Sequence, residues 1–145
     1  NLTEMSAREL EWLRTELNKN NKVPTIIFFH APLIGTLRNY NSKINTSTRI
    51  AQPSDKIHAL LLSNPQVFLW VSGHTHTPPT EQSFASPINV YDTHVTNIHN
   101  TDMNRETIYT NSLYLYPDKV VIRTYNHKKG IWLPEFDRTI AVPAL

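Results

Sequence analysis

Val67-Phe68-Leu69-Trp70-Val71-Ser72-Gly73-His74-Thr75-His76 is the stretch on which the fold turns. Apolar residues run without alternation into a serine and a glycine, and two histidines follow with one residue between them. A short unbroken apolar run that ends at a glycine reads as a strand covered on both faces, as in parallel sheets. Thr25-Ile26-Ile27-Phe28-Phe29-His30-Ala31-Pro32 repeats the layout. In each stretch an imidazole stands where the strand breaks. In open α/β sheets that carboxyl end is where ligands bind.

Working outward, each run has a helix before it. Ser6 and Glu9 form a capping-box pair at the start of a helix predicted over Ser6 to Asn18, with Leu10, Leu13 and Leu17 on one face and Trp12 flanking it. Ser54 is placed to cap a second helix reaching about Ser63, with Ile57, Leu60 and Leu61 as its buried stripe, and Asn64-Pro65 ends it. The order helix, strand, helix, strand over 6–72 predicts parallel strands joined by a helical crossover. Leu33 to Pro53 is a long polar connection. After Pro78-Pro79 the pattern changes to short antiparallel strands over 88–140. These include Ile88 to Tyr91, Val95 to Ile98, Leu113 to Tyr116 and Val120 to Tyr125, with a hairpin turn at Tyr116-Pro117-Asp118-Lys119. The whole of 1–145 is read as one α/β domain.

Composition narrows the chemistry. The net charge of +2 is small and scattered, which argues against nucleic acid as a partner, and no apolar stretch approaches the roughly 20 residues of a membrane-spanning helix. No secretory signal is visible, so the compartment is left open. Asn1-Leu2-Thr3 and Asn45-Thr46-Ser47 fit the glycosylation sequon, which an Asn-rich chain meets by chance. There is no cysteine, so any metal must be held by His, Asp, Glu, Asn or backbone oxygen. The chain opens on Asn1 rather than Met, which leads us to expect a processed product or an excised piece of a longer polypeptide.

His30, His74 and His76 are the candidate metal ligands. Residues i and i+2 of an extended chain point to one side, so His74 and His76 address one site, and Gly73 lets the backbone leave the strand. His30 joins them if the two strands are neighbours. The remaining histidines carry no such pattern. His58 is expected at a helix surface, His94 and His99 in loops or on a strand surface, and His127 in solvent beside Lys128 and Lys129. In the long connection, Arg38 and Arg49 either pair with an anionic substrate or solvate the loop.

Phe28-Phe29-His30-Ala31-Pro32 followed by Val71-Ser72-Gly73-His74-Thr75-His76 resembles the C-terminal half of the calcineurin-like metallophosphoesterases, in which a strand-end His and a later Gly-His-x-His close the set of metal motifs. The resemblance runs through most of the chain. It implies the C-terminal half of a four-layer α-β-β-α sandwich with mixed sheets. It also implies that His30 and His74 ligate one metal of a dinuclear pair and His76 the other. The implied reaction is hydrolysis of a phosphate mono- or diester by a hydroxide held between two divalent ions, with Mn, Fe or Zn as candidates.

The chain departs from that pattern in its acidic motifs. Its three glycines are followed by Thr36, His74 and Ile131, so neither Gly-Asp-x-x-Asp nor Gly-Asn-His is present, and no Asp-x-His occurs. Three neutral imidazoles leave two dications uncompensated. The expectation is therefore a fragment, inactive alone and carrying no metal or one, whose two ions belong to a longer parent. Its partners would be a phosphate-ester substrate, the missing N-terminal half of the domain, and a second copy of the chain through the surface left uncovered. The alternative is a non-catalytic binding module on the same scaffold with relic histidines. A mononuclear zinc hydrolase on three histidines is weaker, since no carboxylate stands at suitable spacing to act as its base.

Overall fold

The computed structural model describes residues 2–38, 44–92, 94–101 and 108–145. Helix α1 spans Ala7–Lys19. The Ser6 hydroxyl accepts from Glu9 N at 3.2 Å and the Glu9 carboxylate accepts from Ser6 N at 2.7 Å, the reciprocal pair the sequence predicts. The backbone and hydroxyl of Ser6 hold the Glu9 carboxyl below the usual carboxylate range. Ser6→Ala removes the hydroxyl acceptor and is expected to lower stability by about 1 kcal/mol, read as a fall in the urea midpoint at constant slope. An unchanged midpoint would show that the cap contributes nothing.

Strand β1 (Thr25–Phe28), helix α2 (Ser54–Leu62) and strand β2 (Val67–Ser72) follow in the predicted order. β1 and β2 pair in parallel with Phe28 opposite Val71. Two expectations change. Ser54 is the first residue of α2 rather than its cap: Pro53, in extended conformation, takes the cap position, and its carbonyl receives Ile57 N. β1 is also not covered on both faces. It lies at the end of its sheet and its Phe28 is 70 % exposed, while every residue of β2 is buried.

The second half contains a larger difference. A 3-10 turn, η1 (Pro87–Asn89), replaces the first half of the strand expected at 88–91, leaving the two-residue β3 (Val90–Tyr91). Pro87 suits the first position of the turn, and the Asn89 side chain closes it onto Ser86 N. Strand β4 (Val95–His99) is fully buried and pairs with β2 in parallel, not antiparallel as expected, giving the order β1-β2-β4-β3. The last three strands, β5 (Tyr109–Leu115), β6 (Lys119–Asn126) and β7 (Ile131–Ala141), form an antiparallel sheet that includes the predicted hairpin. β7 tolerates Pro134 because it is an edge strand, where a proline leaves no inner ladder bond unmade.

The result is a mixed α/β sandwich. One core lies between the helices and the first sheet, with Leu10, Leu17, Ile57, Leu61, Val67 and Trp70. The other joins the first sheet to the antiparallel one, with Phe68, Leu69, Val71, Ile98, Val120 and Ile122. The described residues thus supply a helical layer and both sheets of the expected four-layer arrangement. No helix is long and apolar enough to cross a membrane among the described residues.

Candidate functional site

Parallel pairing of β1 and β2 fixes where the first two histidines meet. The ladder continues past the strand ends, with Phe29 N donating to Val71 O and Gly73 N to His30 O. His30 is therefore level with Gly73, one residue before His74. The His30 and His74 rings lie 4.7 Å apart, centroid to centroid, edge to face. Burial pushes the His30 pKa down, and the neighbouring His74 and then His76 lower it further by charge repulsion.

The tautomers follow from the partners. His74 Nε2 is 3.0 Å from the Thr48 carbonyl, which only accepts, so this nitrogen carries the proton. His74 Nδ1 is then the lone-pair nitrogen, and His30 Nε2, 2.9 Å away, donates to it. The chain of bonds runs from His30 through His74 to the loop carbonyl.

The turn that sets this geometry is not the one expected. His74 and His76 do not share an extended chain; their φ angles are 62° and 50°, in the left-handed region, while Gly73 is outside it. A non-glycine residue there costs on the order of 1–2 kcal/mol, so the segment carries two strained residues side by side with Thr75. Thr75 is buried and its hydroxyl bonds to Thr77 at 2.9 Å. His76 is exposed. Strain of this kind concentrates at sites where position matters more than local energy.

The long connection packs closely around the rim. Leu33, Leu37, Ile44, Ile50 and Ala51 are buried. Asn97 on β4 is the clamp. Its carbonyl oxygen accepts from Leu33 N at 2.8 Å and from the Thr36 hydroxyl at 3.3 Å, and its amide donates to Trp70 O and Ser72 Oγ. Asn45 bridges Gly35 N and Leu37 O. Arg38 and Arg49 are both exposed. Arg49 follows Thr48, the acceptor for His74, so its backbone stands at the histidine rim. The Arg38 carbonyl is tied to the Ser83 hydroxyl instead. Residues 39–43 of the connection lie outside the described residues.

Sequence reading missed Asn97 and misplaced His99. His99, expected in a loop or on a strand surface, is fully buried at the carboxyl end of β4 opposite Ser72. No local signal announces either residue, because a polar side chain in a strand ordinarily faces water. His58 is half-buried on α2 with its ring against the Asp92 carboxylate, and His127 is exposed.

These residues meet the demands of a metal only in part. Two nitrogens on a tetrahedral zinc are roughly 3.3 Å apart, so His30 and His74 would separate by a few tenths of an ångström to share an ion in place of their proton. No group of three or more His, Cys, Asp or Glu is arranged to hold an ion among the described residues. A dinuclear centre does not fit on these side chains alone.

No family model matches the chain, and no curated protein matches it. Among solved structures it is similar to a dimetal phosphatase from Danio rerio, at 17 % sequence identity with a TM-score of 0.63. The match covers 96 % of this chain and 39 % of that one, so the chain spans about two fifths of the length of the structure it resembles. At this identity the likeness is one of fold.

Proposed function

We propose that this chain is the C-terminal part of a metal-dependent phosphoesterase, inactive by itself, whose dinuclear site is completed by carboxylate ligands from polypeptide outside it. The observation that carries the reading is the rim itself: the ring of His30 bonded to that of His74, with His74 and His76 both in left-handed backbone at the end of a buried parallel strand. The fold likeness to a dimetal phosphatase supports the same class. In this reading His30, His74 and His76 are the imidazole ligands, and Arg49 at the rim, with Arg38 further along the loop, meets the phosphate ester. Two divalent ions of the Mn, Fe or Zn type would supply Lewis acidity toward the ester.

The free edge of β1 supports a missing part. Phe28, Trp12 and Val23 are exposed around it, and a cavity of about 330 Å³ opens there, lined by Trp12, Leu13, Val23, Ile26 and Phe28 among others. An exposed apolar edge of this kind pairs with further polypeptide. Its occupant in this reading is the N-terminal half of the domain, and a second copy of the chain when that half is absent.

The test uses the longest reading frame that contains this sequence. The complete protein is expected to carry two metal ions per chain and to hydrolyse p-nitrophenyl phosphate or its bis-ester, while the present chain binds at most one ion weakly and shows no turnover. His74→Ala in the complete protein is expected to lower both metal affinity and turnover by about 100-fold or more. Metal content and turnover that both survive the change would overturn the ligand assignment. The second reading, a non-catalytic module, is favoured by the His30–His74 hydrogen bond, which satisfies both rings without a metal. Near-zero metal content in the complete protein would select it.

A further inference from the structure

The two helices cover one face of the first sheet. Leu10 and Leu17 of α1 share a core with Ile57 and Leu61 of α2, against Ile27 and Trp70 of the sheet. α2 carries the chain from the carboxyl end of β1 back to the amino end of β2. α1 runs the same way. Its first turn stands beside the carboxyl end of β1, where Met5, Glu9 and Phe29 help to line a cavity of about 160 Å³. Its last turn stands beside the amino end, where Glu16, Asn20 and Thr25 help to line the cavity of about 330 Å³. The approaches to both helices are tied together, with Met5 N donating to Gln52 O and Gln52 N to Thr3 O.

A helix that returns along a parallel sheet in this direction is the crossover between two strands, and such crossovers are right-handed. Two right-handed crossovers on one face must travel across the sheet the same way. α2 takes the chain from β1 to β2. The strand that feeds α1 therefore belongs on the other side of β1, at its free edge. The backbone there is arranged to receive it. Thr25 N and Phe29 N donate toward β2, to Gln66 O and Val71 O. Alternate residues of a strand turn these groups to opposite sides, so Ile26 and Phe28 present theirs at the open edge.

The surrounding side chains specify the composition of such a strand. On the helix side it would meet Leu13 and the exposed Trp12. Ile26 packs into the core between the two sheets, and Phe28, two residues on, projects from the same face of the strand and is exposed. A strand with apolar neighbours on both faces is an unbroken apolar run, as β2 is, rather than an alternating one.

We propose, resting on the reading of this chain as the later part of a larger domain but not on the chemistry of its rim, that the free edge of β1 docks a parallel strand of about five unbroken apolar residues supplied by the polypeptide that precedes α1. The carboxyl end of that strand lies level with His30, so the segment leaving it passes the histidine rim on its way to α1.

The test compares the complete protein, from the longest reading frame that contains this sequence, with the present chain at a dilution where light scattering gives a monomer. Both are held in EDTA, and amide hydrogen exchange is followed residue by residue. In the present chain the Ile26 and Phe28 amides are expected to exchange fast while those of Ile27 and Phe29 are protected. In the complete protein the first two are expected to slow by on the order of 100-fold or more. Cross-strand nuclear Overhauser contacts from them should reach residues upstream of Asn1 that advance in the direction of β1. Phe28→Pro removes the outward N–H alone, so it should match Phe28→Ala in the urea midpoint of the present chain and fall below it in the complete protein. Fast exchange of Ile26 and Phe28 in the complete protein, an antiparallel partner, or one from beyond Leu145 would overturn the proposal. Slow exchange in a complete protein that holds no metal and shows no turnover would remove the phosphoesterase reading and leave the docked strand standing.

Discussion

Trp70→Ala is expected to cost about 4 kcal/mol of stability, enough to bring a domain of this size close to unfolding at 25 °C. Trp70 is fully buried in the core between the helices and the first sheet, and packs edge-on against Phe29 with centroids 5.6 Å apart. Its indole Nε1 donates to Ala31 O at 3.0 Å. Alanine removes the ring and leaves that buried carbonyl without its donor, so two penalties combine. Trp70→Phe separates them: it keeps most of the volume, and its cost should be nearer 1–2 kcal/mol. Urea unfolding of the two variants reads the difference. A Trp70→Ala cost under about 1 kcal/mol would mean the cavity collapses freely, contrary to the packing described. Ala31 follows His30, so the same indole also holds the segment that delivers the first histidine to the rim. The His30 ring resonances should therefore shift in Trp70→Phe while the fold stays intact.

Acid is expected to produce the second large effect. Burial, with the charge of Arg138 as a lesser cause, lowers the His99 pKa from 6.5 to about 3. Above pH 6.5 both folded and unfolded chains carry this imidazole neutral, and it adds no pH dependence. Below it the unfolded chain takes up a proton that the folded chain refuses, so stability falls as pH falls and continues to fall until about pH 3. The integrated loss is on the order of 4 kcal/mol. His30 shifts in the same direction and adds to the loss below pH 6.5, though its exposed ring contributes less. His99→Gln, which keeps a donor for the Thr36 carbonyl but does not titrate, should flatten most of the acid slope between pH 6 and pH 4. An unchanged slope would show that His99 is reached by water or protonated in the folded chain.

The two experiments probe opposite kinds of information in this chain. The residues around Trp70 announce themselves. A run of Val, Phe, Leu, Trp and Val with no polar interruption is stable only with both faces covered, and the helix before it, Ser54–Leu62, is too short and too close to leave room for anything but a crossover to a neighbouring parallel strand. From that pairing alone His30 arrives beside His74. The capping box at Ser6 and the hairpin at Tyr116-Pro117-Asp118 are local in the same sense, since each is decided within a few residues.

His99, Asn97 and Arg138 are of the other kind. Nothing within a few positions of His99 distinguishes it from a strand-surface histidine; its burial depends on Thr36, sixty-three residues earlier, and on Arg138. β4 was legible as a strand but not as a parallel one, because direction is set by the partner and not by the residues themselves. The left-handed turns at His74 and His76 are likewise invisible locally, since the intrinsic preference of histidine opposes them.

By itself, then, the order of residues determined the crossover, the buried strand and the rim to which its histidines are carried, because hydrophobic period and connection length act over short range. Tertiary structure alone decided that a hydrogen bond joins His30 to His74, that β1 lies at the end of its sheet among the described residues, and that the His99 imidazole is buried far from any local signal. Each of those depends on which distant groups replace water, and that substitution is fixed only when the layers close.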